Sequence, residues 1–191
     1  MVTSRPDPEY WKNLYGDEWE SAAEAVKSLH EKIVQRYPEL EDSVKFGLGA
    51  TTGKKVRIPP GQKHEADITY YYDYKLLCSI QVSAPQKGKV PPGDIWVLKG
   101  KYEQAVAKEA IGEKTWFYFD YPLTKKNYAL DMPTIKPFEM NVEIMYLKRD
   151  SMGRRVPEPY VKIPYQKAFS GEALLDWIGR ELELRKSKYG A

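Results

Sequence analysis

The chain has 191 residues, of which 42% are hydrophobic and 30% charged, with a formal net charge of +3 at pH 7. This balance predicts one folded, soluble domain rather than a disordered chain, and no apolar run approaches the roughly 20 residues of a membrane span. One cysteine and two histidines exclude a zinc centre built from four such ligands. The polar N-terminus suggests a cytoplasmic protein, and the many lysine and glutamate residues suggest a thermophilic source.

The first predicted elements are an arm, a helix and a short strand. Pro6 and Pro8 predict an irregular arm over residues 1–15. Apolar residues at three- and four-residue steps predict a helix over residues 17–37, which Pro38 ends. Residues 44–48 predict a strand, and a glycine- and lysine-containing loop follows it.

The segment HEADITYYYDYKLLCSIQVSAP, residues 64–85, predicts two strands, 66–73 and 75–83, joined by a turn at Asp73. Asp67 opens the first strand. Gln81 and Ser83 occupy alternate positions of the second strand and therefore share a face. Cys78 lies in the apolar part of that strand, so we expect a buried, inert thiol.

Beyond a loop at residues 87–93, the pattern predicts a strand at 94–98, a helix at 102–110 and a strand at 115–121. Asp120 stands close to Pro122, so we expect it to initiate a turn. The basic segment KRDSMGRR predicts a hairpin turn between strands at 142–147 and 160–163. A last helix is expected over residues 171–186.

The order of helix, three strands, helix and strand over residues 14–121 resembles the core of the PD-(D/E)XK nuclease superfamily, with a distant likeness to archaeal Holliday-junction resolvases. The motif Gly16-Asp17-Glu18-Trp19-Glu20 matches the helix motif, Asp67 the first acid, and Gln81-Val82-Ser83 the place of acid-x-lysine. The resemblance implies an α+β, restriction-endonuclease-like fold with a mixed central sheet flanked by helices. Residues 1–191 would form one domain, with a core at 14–121 and a C-terminal hairpin and helix at 122–191.

The resemblance also implies a magnesium-dependent DNA endonuclease. Asp67 and Gln81 would hold Mg²⁺, and Glu20 would orient a water or a second ion. Gln81 supplies only a neutral oxygen, and Ser83 cannot replace the lysine of the motif, so Lys99 or Lys101 would have to take its role. Such nucleases often act as homodimers because two strands need two sites.

Basic loops supply a candidate nucleic-acid surface. Lys54, Lys55, Arg57 and Lys63 form one cluster, Lys125 and Lys126 a second, and the basic turn near residues 148–155 a third.

Plainer explanations stay open for each candidate: Glu20 as a solvated helix residue, Asp67 as a strand terminator, Gln81 as a polar residue on an exposed sheet face. The whole chain could equally be a non-catalytic module that binds nucleic acid or protein, or a small-molecule enzyme with a site that the sequence does not reveal.

Overall fold

The structure is a computed structural model that describes residues 8–52, 66–85, 94–149 and 154–189. In chain order its helices and strands are α1 Pro8–Arg36, β1 Val44–Phe46, β2 Ile68–Tyr72, β3 Lys75–Ser83, β4 Asp94–Leu98, α2 Lys99–Glu109, β5 Thr115–Tyr121, β6 Lys126–Asp131, α3 Met132–Ile135, β7 Val142–Arg149, β8 Arg155–Pro164, β9 Phe169–Ser170 and α4 Gly171–Tyr189. None of the helices in these ranges combines the length and apolar composition that crossing a bilayer requires.

The centre of the fold is a six-stranded mixed sheet in the order β1-β2-β3-β5-β6-β9. Strands β1, β2 and β3 form an antiparallel meander, whereas β5 runs parallel to β3. A parallel pair needs a long crossover, and α2 lies on it. The predicted order of helix, three strands, helix and strand is therefore present, and the α+β fold class with a mixed sheet flanked by helices is confirmed.

One face of this sheet packs against α1 and α4. Alternate residues of the strands, such as Ile68, Tyr70 and Ile80, point into this layer and are fully buried. Leu29 of α1 and Leu174 of α4 meet them there. The last helix is thus part of the same core as the first, and β6 extends the same sheet by pairing with β5.

The opposite face carries α2 and a second, three-stranded sheet in the order β4-β8-β7. Phe117 and Phe119 of β5 join a second buried cluster with Val97 of β4 and with Tyr102 and Ala105 of α2. The predicted C-terminal hairpin is confirmed as β7 and β8, and β4 completes its sheet by pairing with β8.

Several predicted boundaries were wrong. Helix α1 begins at Pro8, within the segment predicted to be an irregular arm. Proline fits the first turn of a helix because the N–H that it lacks would have no partner within the helix there. Strand β6, KNYALD, was not predicted, because its own pattern is weak and pairing with β5 decides its conformation. Asp120 does not start a turn but lies within β5, opposite Asn127.

The hairpin of β2 and β3 agrees closely with the sequence. Asp73 and Tyr74 form its turn with φ of 49° and 56°, as predicted for a turn residue. Cys78 is fully buried, and burial raises the pKa of its thiol to about 12, so the expected inert thiol is confirmed.

Candidate functional site

The candidate site lies at one end of the central sheet. Asp67 immediately precedes β2, and Ile68 pairs with Ile80 of β3. Because β2 is antiparallel to β3 while β5 is parallel to β3, the start of β2 and the ends of β3 and β5 lie at the same end of the sheet. We call it the Asp67 end of the sheet.

Asp67 is held by two contacts, both to its Oδ2 atom. The backbone N–H of Val82 donates to it at 2.8 Å, and the Lys101 ammonium lies 3.4 Å away. The side chains of Asp67 and Lys101 are 26% and 33% exposed, so the pair is partly buried but reachable from solvent. Lys101 stands in the first turn of α2, next to the sheet face that also carries Gln81.

The structure distinguishes between the two lysines proposed from sequence. Both Lys99 and Lys101 belong to the first turn of α2 and are partly buried. Of these two lysines, as far as the described residues show, only Lys101 makes a hydrogen bond or ion pair with Asp67.

Gln81 lies on β3, opposite Phe117 of β5, and is only 5% exposed. Phe117 belongs to the core on the α2 side, so Gln81 faces the same side of the sheet as the Asp67–Lys101 pair. Its interpretation as a residue on an exposed face is therefore wrong. Ser83, two residues later, shares this face and is partly buried.

Glu20 is an exposed residue of α1, the helix that packs on the other face of the sheet. No hydrogen bond or ion pair joins it to Asp67 within the described ranges. Nor do any three histidine, cysteine, aspartate or glutamate side chains of those ranges cluster closely enough to hold a metal ion. Among the described residues, the oxygen ligands that this face offers at the Asp67 end include the Asp67 carboxylate, the Gln81 amide and the Ser83 hydroxyl.

Exposed basic residues accompany this end of the sheet. Lys125 and Lys126 form the turn between β5 and β6, and Lys125 has a φ of 52°. Three strand spacings separate β2 from β6, about 15 Å across the sheet, and Lys126 lies four residues beyond Leu130, the residue of β6 that is level with Gln81. The cluster of Lys54, Lys55, Arg57 and Lys63 lies outside the described residues. Of the third cluster, Arg154 and Arg155 are exposed at the start of β8.

A cleft that sequence reasoning missed runs between α2 and strands β1 to β3, with a volume of about 940 Å³. Its sheet side includes Thr69, Tyr71 and Ser79. Ser79 is only 1% exposed and accepts a hydrogen bond from Lys108 of α2 at 3.2 Å. The sequence signal for this cleft was one polar residue in the apolar part of each of two strands, Thr69 in β2 and Ser79 in β3.

Two titratable groups with shifted pKa values lie away from this cleft. His30 of α1 shares a 2.8 Å hydrogen bond with the Tyr70 hydroxyl, and burial lowers its pKa against the opposing charges of nearby glutamates. Burial raises the pKa of Asp120, while the charge of Lys32 on α1 opposes that shift. Both groups contact the α1 side, so they belong to the packing of that helix.

Comparison with known proteins gives a likeness in structure but none in sequence. No family model and no curated protein sequence matches the chain. Among solved structures it is similar to D212, a nuclease from a fusselovirus, with 16% sequence identity over 63% of this chain and 70% of that one, at a TM-score of 0.43. A likeness at this level does not establish a shared activity.

Proposed function

We propose that this chain is a nucleic-acid-processing protein that hydrolyses DNA phosphodiesters with Mg²⁺ at the Asp67 end of the sheet. The observation that carries the proposal is the Asp67–Lys101 pair, with its 3.4 Å contact, on the sheet face that also holds Gln81. A carboxylate can hold a metal ion, and an ammonium beside it can stabilise the charge that develops on a phosphate oxygen during hydrolysis.

The donor set fits Mg²⁺ because this ion keeps most of its waters and needs only one or two carboxylates besides substrate phosphate oxygens. Asp67 would hold the ion and Gln81 would add a neutral oxygen. When bound, the ion would polarise the scissile phosphate and lower the pKa of a bound water. Glu20, the residue that the resemblance assigns to orienting a water, lies on α1 against the other face of the sheet and is not part of this donor set.

Lys101 would take the place of the lysine that Gln81-Val82-Ser83 lacks. Its ammonium can donate to a phosphate oxygen and stabilise the negative charge that develops there. Because α2 starts beside Asp67, it holds this cation near the carboxylate without a contribution from β3. The exposed Lys125 and Lys126 would contact phosphates farther along the strand.

The test is a cleavage assay on duplex, single-stranded and branched DNA with Mg²⁺ or with EDTA. We expect cleavage by the wild type in Mg²⁺ only, and its loss in Asp67→Asn. Asp73→Asn is the matched control, since Asp73 lies in the turn at the other end of β2 and asparagine tolerates its positive φ. Equal cleavage by Asp67→Asn and the wild type would refute the assignment.

A second candidate is a module that binds nucleic acid without cutting it. It is favoured by the neutral Gln81 in place of an acid and by the lack of a three-residue acidic cluster in the described ranges. It predicts binding without turnover, with an affinity that falls steeply as salt rises. Binding that Asp67→Asn leaves unchanged, together with no cleavage in Mg²⁺, would select this candidate.

A further inference from the structure

The cleft beside α2 is open because the apolar side of this helix packs against the second sheet and β5 and not against strands β1 to β3. Tyr102 and Ala105 are buried in the cluster shared with the second sheet. The residues of α2 that line the cleft recur at helical spacing on another side, namely Gly100, Glu103, Gln104, Ala107 and Lys108. A helix packed in this way leaves an open channel over β1 to β3 instead of closing it.

The size of the cleft limits what can enter. It follows β2 from Ala66 to Tyr71, a length of about 17 Å at ~3.4 Å per residue. Its volume of about 940 Å³ is within the range of small-ligand sites, roughly 300–1,000 Å³. A B-form duplex, whose major groove alone is broad enough to admit an α-helix, is too large for a cleft of this volume, whereas an unpaired base or two can enter.

One end of the cleft opens at the proposed reaction site. Ala66 and Gly47 line the cleft next to Asp67, and Gly100 lines it next to Lys101. Gly47 has to be small there, because a Cβ at this position would come within 2.4 Å of the Ala66 carbonyl oxygen. A phosphate at the Asp67–Lys101 pair would therefore have its own nucleotide at the mouth of the cleft.

The lining suits nucleobases better than a run of phosphates. Lys45 and Lys108 are balanced by Glu103 and Glu113, so the cleft has no net formal charge. The Tyr71 ring offers a stacking surface, and amide, hydroxyl and carboxylate groups offer base-edge hydrogen bonds.

We infer that the cleft receives one or two unpaired nucleotides of the strand whose phosphate lies at the Asp67–Lys101 pair, so that the substrate has a single-stranded end or gap. The inference rests on the proposed function only for the position of that phosphate. The cleft and its lining stand independently of whether Asp67 takes part in hydrolysis.

The test blocks the cleft and measures binding in EDTA, where cleavage does not interfere. Ala107→Phe places a ring in the cleft from an exposed position of α2. Val106→Phe is the matched control, because Val106 is the neighbouring residue, is 44% exposed and does not line the cleft. Probes are a duplex with a two-nucleotide unpaired end carrying 2-aminopurine and the same duplex with a blunt end.

We expect Ala107→Phe to weaken binding of the unpaired end at least tenfold, with Val106→Phe and the wild type equal to each other. Blunt-duplex binding should be the same for all three proteins. Tyr71→Leu should abolish quenching of 2-aminopurine, whereas Tyr146→Leu, on the exposed part of β7, should not. Thermal melting of each variant checks that it folds.

The outcomes separate the two proposals. If Ala107→Phe binds the unpaired end as Val106→Phe does, or if the wild type shows no preference for that end, the cleft inference is overturned. Loss of binding in Ala107→Phe, in a protein that never cleaves DNA, upholds the cleft and overturns the nuclease proposal. Cleavage of the duplex with the unpaired end that needs Asp67 but is unaffected by Ala107→Phe supports the nuclease proposal and overturns the cleft inference.

Discussion

Asp67 has a structural role that can be separated from any catalytic one by comparing two substitutions. Asp67→Asn keeps an oxygen that can accept the Val82 N–H but removes the charge that faces Lys101. Asp67→Ala removes both. If the site is as described, the two variants should lose cleavage equally but should differ in the free energy of unfolding.

The magnitudes follow from burial. An ion pair with side chains 26% and 33% exposed is worth about 0.5–1 kcal/mol, near the upper end for solvated pairs. Val82 is only 4% exposed, so leaving its N–H without an acceptor costs about 1–3 kcal/mol more. We therefore expect Asp67→Asn to lower the free energy of unfolding by about 0.5–1 kcal/mol and Asp67→Ala by about 1.5–4 kcal/mol.

Urea unfolding followed by tryptophan fluorescence measures both values. In 1 M salt the Debye length falls to about 3 Å, so the loss in Asp67→Asn should shrink while most of the additional loss in Asp67→Ala remains. Equal destabilisation by the two variants, or a loss in Asp67→Ala that disappears in salt, would show that the bond to Val82 contributes nothing and would refute this description of the site.

Three further outcomes are expected. Lys101→Met should reduce the cleavage rate by roughly 10²–10³-fold if its ammonium stabilises developing charge, whereas Lys99→Met should change the rate little. A larger loss in Lys99→Met than in Lys101→Met would assign the catalytic role to Lys99 instead. Burial lowers the pKa of His30 in the folded protein, so as the pH falls the unfolded chain is protonated at this residue before the folded chain is. The free energy of unfolding should therefore fall as the pH drops below the ordinary value of 6.5. Urea midpoints at pH 7.5 and 5.5 should differ less in His30→Asn than in the wild type. Leu174→Ala should cost about 2–5 kcal/mol, because a fully buried leucine leaves a cavity between α4 and the sheet; a urea-derived loss below 1 kcal/mol would contradict the assigned core.

Predictions succeeded where the signal was local. The hairpin of β2 and β3 follows from alternation and from turn residues within one short segment, so its two strands and its turn at Asp73 were predictable. Strand β6 was not, because its pairing with β5 supplies the stability that its own sequence lacks. The separate sheet was missed for the same reason, since β4 pairs with β8 more than 50 residues later.

The sequence by itself determined the candidate carboxylate, Asp67, its place at the start of a strand, and the buried thiol of Cys78. Only the tertiary structure selected Lys101 over Lys99, buried Gln81 on the face next to Asp67, and opened a cleft beside α2. Alternation assigns a residue to one side of its own strand, but which helix covers that side, and how tightly, depends on contacts between distant segments. Asp67 was therefore identifiable from the sequence, while the cleft beside it was not.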